Sequence, residues 1–376
     1  MKRIAIVTAT RAEYGLLTPL IRAVDSDREL ERDLIVTGAH LSEKHGNTIS
    51  FIQDDGFLIA HKIPILEEGN TPYDISLTMA NAVKGFAECF RKDRPDALVI
   101  LGDRTEMLGV GCAAMNEQIP ILHIHGGEVT EGAVDDCVRH ALTKMSCLHF
   151  TAAERYRSRV IQLGEDPCRV FNVGSLGTEN ILHAPLMKED EVRKSAGIPA
   201  GMPYAVVTFH PVTLERETAR EQTKELCQAM CDRQDLFFLM TMANADAGGD
   251  TVNRILAEFA EKHGNARLTA NLGMVRYLSA VKYAQFVLGN SSSGILEAPV
   301  LGTPAVNIGE RQRGRLLAES VICCEPGAEE IKAAILTAEK TEHCPAYLYR
   351  DGTASEQIVD IIKGAFDKGI EVKKSF

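Results

Sequence analysis

The sequence predicts an α/β protein built from parallel βαβ units in two domains. Short β-branched runs alternate with helix-length amphipathic segments from one end to the other. Most of those runs are almost continuously apolar, as strands covered by helices on both faces must be. The length, 376 residues, favours two cores, since a single domain usually holds roughly 100–200 residues.

Taken in order, strands are expected at residues 3–8, 33–38, 97–102, 121–126 and 148–152 in the first half. In the second half they are expected at 204–209, 236–242, 286–290, 304–309 and 320–324. Helices are expected between them at 73–92, 104–117, 153–163, 216–232 and 249–263, where apolar residues recur at three-to-four spacing. Residues 184–203 are charged and then rich in Pro and Gly, which interrupts the alternation in mid-chain. The boundary therefore falls near 175–185, giving domains of 1–178 and 179–354. No repeat or low-complexity segment is visible.

Composition narrows the function. With 45% hydrophobic and 25% charged residues the chain is globular. No apolar run approaches the roughly 20 residues of a membrane helix. The N-terminal apolar stretch is too short for a signal-peptide core and is interrupted by Arg11 and Glu13, so a cytoplasmic location is expected. The ten cysteines show neither paired C-x-x-C spacing nor a zinc pattern, and adjacent Cys323 and Cys324 read as strand packing. A net charge of -11 argues against non-specific binding to nucleic acid or anionic membrane. There is no P-loop and no G-x-G-x-x-G after the first strand, which counts against ATP hydrolysis and NAD chemistry.

Nearly every unusual polar cluster follows an expected strand: Thr10-Arg11, Gly38 to His40, Gly102-Asp103-Arg104, His125 to Glu128, His210-Pro211, Asn244 to Asp246, Asn290 to Gly294, and Glu310-Arg311. Ligands of open α/β sheets bind outside the carboxyl ends of parallel strands, so one such face from each domain, opposed across a cleft, would form one site. Single clusters have a plainer explanation as turn residues; eight in the same place do not. Gly289 to Gly294 precedes ILEAP and is expected to enter a helix whose N–H groups hold phosphate, with Glu297 a turn further in, near ribose hydroxyls. Simple serine capping explains the same run. Arg11, Arg104 and Arg311 supply positive charge, while Arg313 and Arg315 read as solvated surface. Asp103, Glu128, Glu131, Asp135 and Asp136 lie near His123, His125, Arg139 and His140, enough for acid–base work on a sugar ring. Asp135 and Arg139 are four apart and would pair on a helix. His210 is a further acid or base, or a turn-packing residue.

Thr10-Arg11-Ala12-Glu13-Tyr14, Gly102-Asp103-Arg104, His123-Ile124-His125-Gly126-Gly127-Glu128, Asp135-Asp136 to Arg139-His140, His210-Pro211-Val212-Thr213 and Gly289 to Gly294 occur in this order. The chain thereby resembles the hydrolysing UDP-N-acetylglucosamine 2-epimerases, the sialic-acid type of the UDP-GlcNAc 2-epimerase family, over essentially its whole length. The resemblance implies the GT-B architecture, two Rossmann-like domains around a cleft, with residues 355–376 packing back on the first domain and the second binding nucleotide. It also implies a homo-oligomer, dimer or tetramer, with a nucleotide sugar as its small-molecule partner. The implied reaction is elimination of UDP to 2-acetamidoglucal, then hydration to ManNAc, with no cofactor and no metal.

By matching motifs, Arg11, His40, Arg104, Asn244, Asp246, Ser291, Ser292, Ser293, Gly294, Glu297 and Arg311 are the implied substrate and nucleotide contacts, His40, Asn244 and Asp246 being sugar contacts or supports. Asp103, His125, Glu128, Asp135 and His210 are the implied acid–base set. The family commonly reads His-Ile-Glu-Gly-Gly-Glu where this chain has His125, a substitution that keeps a proton carrier and points also to a different sugar. Alternatives are the same reaction on a UDP- or GDP-linked 2,4-diacetamido-2,4,6-trideoxyhexose of the legionaminic-acid type, a non-hydrolysing epimerase, a glycosyltransferase, and a catalytically silent nucleotide-sugar sensor.

Overall fold

A computed structural model of the chain describes all residues except 70, 130–133, 212–217, 244–247, 271 and 375–376, and the side chain of His45. It divides into two compact units, Met1–Asn180 with Tyr349–Phe376, and Ile181–Leu348. The first runs β1 (Lys2–Thr8), α1 (Arg11–Ser26), β2 (Leu30–Thr37), α2 (Ile49–Asp54), β3 (His61–Ile63), α3 (Pro72–Lys92), β4 (Ala97–Leu101), α4 (Thr105–Asn116), β5 (Ile121–Ile124), α5 (Asp135–Met145), β6 (Leu148–Thr151), α6 (Glu154–Gln162), β7 (Val170–Asn172) and α7 (Leu176–Leu182). The second runs α8 (Glu189–Ala196), β8 (Tyr204–Thr208), α9 (Ala219–Cys231), β9 (Phe237–Thr241), α10 (Gly249–Lys262), β10 (Ala266–Thr269), α11 (Met274–Tyr283), β11 (Phe286–Gly289), α12 (Glu297–Leu301), β12 (Ala305–Ile308), β13 (Val321–Cys324) and α13 (Ala328–Ala338); α14 (Ala354–Lys368) belongs to the first unit.

Both sheets are wholly parallel. The first has the order β3-β2-β1-β4-β5-β6-β7 and the second β10-β9-β8-β11-β12-β13. In each, the chain winds outward from a central strand and then returns to that strand's other side. The reversals fall between β1 and β4 and between β8 and β11, and such switch points are where open α/β sheets leave a crevice beyond the strand ends. Helices cover both faces: in the first unit α1, α2 and α14 close one apolar layer and α3, α4 and α5 the other. In the second, α9, α10 and α13 close one layer and α8, α11 and α12 the other.

All ten expected strands are present within a few residues. The three that periodicity does not reveal, β3, β7 and β10, lie at sheet edges; an edge strand of three or four residues has no need of a continuous apolar run. The expected interruption at 184–203 contains α8, which buries Val192 and Ala196.

Candidate functional site

In the first unit, the switch point is built from the ends of β1 and β4. Thr10 caps α1 by accepting a hydrogen bond from the Glu13 N–H (3.3 Å). Glu13 folds back and accepts from the Ala9 N–H (3.1 Å) and the Thr10 hydroxyl (3.2 Å). Its other oxygen, Oε1, is buried with no hydrogen-bond partner. Burial pushes the Glu13 carboxyl up to about 7, and nearby Arg104 offsets only part of this. Arg104 donates from Nε to Glu106 (2.7 Å) and lies 3.9 Å from Glu13, its side chain still 44% exposed. Arg11 opens α1 and stacks over the Phe51 ring at 4.2 Å.

Next to these, Asp103 is held by an ion pair with the buried Arg139 of α5. Arg139 also binds Asp136 (2.6 Å) and donates to the Glu128 carbonyl (2.7 Å). The pairing expected between Asp135 and Arg139 is thus replaced by Asp136 and Asp103: the i,i+3 neighbour and a loop carboxylate take the guanidinium. Asp135, half-buried at the start of α5, contributes instead to the field around Arg104. His125 follows β5, its Nδ1 3.5 Å from Glu128 Oε1.

Two histidines of this region are supports. His40 is fully buried, with Nε2 3.0 Å from the Thr8 hydroxyl and Nδ1 2.8 Å from that of Thr48. Both nitrogens are engaged, the arrangement of a supporting group, one of the two roles expected for it. His123 is likewise buried, with Nε2 donating to the Gly102 carbonyl (2.8 Å), and burial pushes its pKa down to about 3.

In the second unit, the switch point is built from the ends of β8 and β11. Gly289 has φ +140°, and a Cβ there would lie 2.0 Å from the Thr208 carbonyl oxygen; only glycine lets β11 approach β8 this closely. Asn290 then clamps the backbone of His210, its side-chain carbonyl accepting from the His210 N–H (2.7 Å) and its amide donating to the His210 carbonyl (2.8 Å). Arg311 (3.1 Å) and the buried Gln312 (2.8 Å) donate to the Asn290 carbonyl. Contrary to the expectation from sequence, the serine run does not lead straight into an α-helix: Ser292–Gly294 form a 3-10 turn capped by Ser291, and α12 begins only at Glu297. Ser293 is buried, with Oγ 2.5 Å from the Tyr277 hydroxyl; Ser291 and Ser292 are half-buried. Glu297 Oε2 is buried with no hydrogen-bond partner, and burial raises its carboxyl pKa. Arg313 pairs with Glu310 at the surface.

The expected site residues Asn244 and Asp246, together with Glu131, lie outside the described residues. Glu106, Tyr277 and Gln312 are residues of these clusters that sequence reasoning missed. Gln312 is adjacent to Arg311 and could have been drawn in with it, whereas Tyr277 sits mid-helix with no local signal.

Two α/β units, each built on a wholly parallel sheet with helices on both faces, make up a GT-B-like fold. The model of the family described as UDP-N-acetylglucosamine 2-epimerase matches residues 22–363, and the chain belongs to that family. It is 40% identical, over 86% of its length and 84% of the relative's, to the GDP/UDP-N,N'-diacetylbacillosamine 2-epimerase (hydrolyzing) of Campylobacter jejuni subsp. jejuni serotype O:2. It is 39% identical, over 86% of its length and 82% of the relative's, to the polysialic acid biosynthesis protein P7 of Escherichia coli. The solved UDP-GlcNAc 2-epimerase of Methanocaldococcus jannaschii shares the fold, with a TM-score of 0.79 at 17% identity over 96% of this chain and 99% of that one.

Proposed function

We propose that this epimerase-family protein is a hydrolysing 2-epimerase that converts UDP-GlcNAc to ManNAc and UDP. The observation that carries the reading is the grouping of Asp103, Arg104 and Asp135 with the α5 anchor Arg139 at the first switch point, in a chain 40% identical to a hydrolysing relative. In the proposed reaction a base removes the C2 proton while the C1–O bond breaks and UDP leaves, giving 2-acetamidoglucal. Water then adds at C1 with protonation at C2 from the opposite face. The acid–base groups are drawn from Asp103, His125, Glu128, Asp135 and His210. Negative charge grows on the departing diphosphate, so Arg11, Arg104, Arg311 and the Ser291–Ser292 turn act where fixed donors stabilise the transition state most. Glu297, with an unpartnered oxygen, accepts from the ribose. These steps move protons and cleave a C–O bond, and the proposal includes no cofactor or metal.

A second reading, the same reaction on a UDP- or GDP-linked 2,4-diacetamido-2,4,6-trideoxyhexose, is favoured by the substrate named for the Campylobacter relative. The polysialic-acid relative, at 39%, favours the first. Incubation with UDP-GlcNAc and with UDP- and GDP-linked N,N'-diacetylbacillosamine, followed by identification of the free sugar, separates them. Release of UDP and ManNAc from UDP-GlcNAc supports the first reading; release from the diacetamido sugar alone supports the second. UDP-ManNAc as product, with no free UDP, contradicts both. The proposal includes a cytoplasmic homo-oligomer, checked by light scattering.

A further inference from the structure

His125 is one of four non-glycine residues with positive φ among those described, at +65°. A left-handed backbone is unfavourable for a residue bearing a side chain, and such strain persists only where the surroundings enforce it. Here they do. The His125 N–H donates to the Phe150 carbonyl (2.9 Å). Gly127 lies so close to α6 that a Cβ would stand 2.4 Å from the Tyr156 carbonyl oxygen, and Arg159 donates to the Gly127 carbonyl.

The turn fixes an imidazole with two unlike nitrogens. Nδ1 faces the Glu128 carboxylate at 3.5 Å, while Nε2 is buried with no hydrogen-bond partner. Two residues earlier, on β5, His123 has both ring nitrogens engaged, so a buried imidazole here is readily satisfied when its role is packing. A buried polar atom left unpaired is destabilising, a cost removed when a bound molecule supplies the partner.

We propose that Glu128 and His125 form a carboxylate–imidazole dyad in which Glu128 holds the Nδ1 proton and Nε2 is the atom that takes the C2 proton. This rests on the hydrolysing reading above and makes Glu128 a positioning residue. The Nε2 lone pair takes the proton from C2, the C2–H electron pair becomes the C1–C2 double bond, and the C1–O pair leaves with the diphosphate. The imidazolium that forms is paired with Glu128 and returns its proton to solvent. A second acid delivers the proton to the opposite face of C2 and is reprotonated by the water whose hydroxyl joins C1.

The dyad is tested with His125→Asn, which tolerates the left-handed backbone, and with Glu128→Gln and Glu128→Asp. Turnover is assayed on UDP-GlcNAc and UDP-N,N'-diacetylbacillosamine, with UDP affinity and thermal unfolding as checks on folding. His125→Asn is expected to lower kcat about 100-fold or more with UDP affinity nearly unchanged. Glu128→Gln is expected to lower kcat roughly tenfold and to move the acidic limb of kcat/KM to lower pH, because the imidazolium loses its counter-charge; Glu128→Asp restores part of both. Among the described residues, Arg139 on α5 and Arg159 on α6 donate to carbonyls of this turn, Asp103 and Asp136 pair with Arg139, and His123 on β5 interacts with His125 and His140; all are unchanged in these variants. Near-normal turnover by His125→Asn, or a loss in Glu128→Gln without movement of the limb, overturns the dyad.

Nitrogen-15 NMR of the His125 ring decides the tautomer independently of turnover. The Nδ1–H form in the wild type, lost in Glu128→Gln, is expected, and an Nε2–H form in the wild type overturns the assignment. A wild type that releases no nucleoside diphosphate from UDP-GlcNAc or from UDP- or GDP-linked N,N'-diacetylbacillosamine contradicts the hydrolysing reading, while the ring NMR still decides the dyad.

Discussion

Glu297 and Glu13 are buried carboxyls, each with an oxygen that lacks a protein partner, and they define what is expected of single residues. Glu297→Gln removes a carboxylate that folding desolvates, so it is expected to raise thermal stability and, as a ribose contact, to weaken UDP binding by roughly tenfold for a lost charged hydrogen bond. Equal UDP affinity by calorimetry removes Glu297 from the ribose. For Glu13 the folded carboxyl titrates at about 7 against an ordinary 4.5. Its contribution to stability is complete below pH 4.5 and is lost as pH rises through about 7. Glu13→Gln therefore flattens the pH dependence of urea unfolding between pH 5 and 8, by up to about 3 kcal/mol; an unchanged slope contradicts the assignment. The clusters were legible in the sequence because polar residues after strands stand out. The engagement of His40 and the choice of Asp136 over Asp135 were not, because loop carboxylates and helix phase are settled by packing.

At the scale of elements, the approach of β11 to β8 depends on Gly289. Gly289→Ala places a Cβ 2.0 Å from the Thr208 carbonyl oxygen and is expected to lower the melting temperature by several degrees and UDP affinity at least tenfold. Gly294→Ala meets only ordinary contacts at 3.7 and 3.8 Å and is expected to keep the fold. Equal melting temperatures for the two variants refute this account of the turn. Buried central strands such as Ala97–Leu101 announce themselves as apolar runs. Edge strands such as Val170–Asn172 do not, and neither does the division of the serine run into a 3-10 turn and a five-residue helix, which depends on contacts such as Ser293 with Tyr277.

For the molecule as a whole, the last segment completes the first core. Ile358, Val359 and Ile362 of α14 are buried with Leu17, Leu20 and Val24 of α1. Ser355 donates its N–H to Glu179 (2.7 Å), and Lys363 reaches Asp27 (3.0 Å) and Glu29 (2.7 Å). Further on, Lys374 binds Glu165 (2.7 Å), whose carboxyl is held down to about 2 despite its burial by His149, Lys144 and Lys374. A chain ended at residue 348 is expected to be insoluble or to bind hydrophobic dyes; a soluble product with a cooperative transition matching the full chain contradicts that role for α14. The two-sheet α/β class follows from alternation and length, both visible in sequence. The long-range return of a helix to the first sheet is a property of contacts, and no local pattern encodes which sheet it joins.

The most direct test of the proposed activity is proton NMR of the protein with UDP-GlcNAc in deuterated buffer. Free UDP is expected together with ManNAc carrying deuterium at C2, because the proton removed in elimination exchanges before hydration. Free UDP with the C2 proton retained, or binding of UDP-GlcNAc with no UDP released, contradicts it.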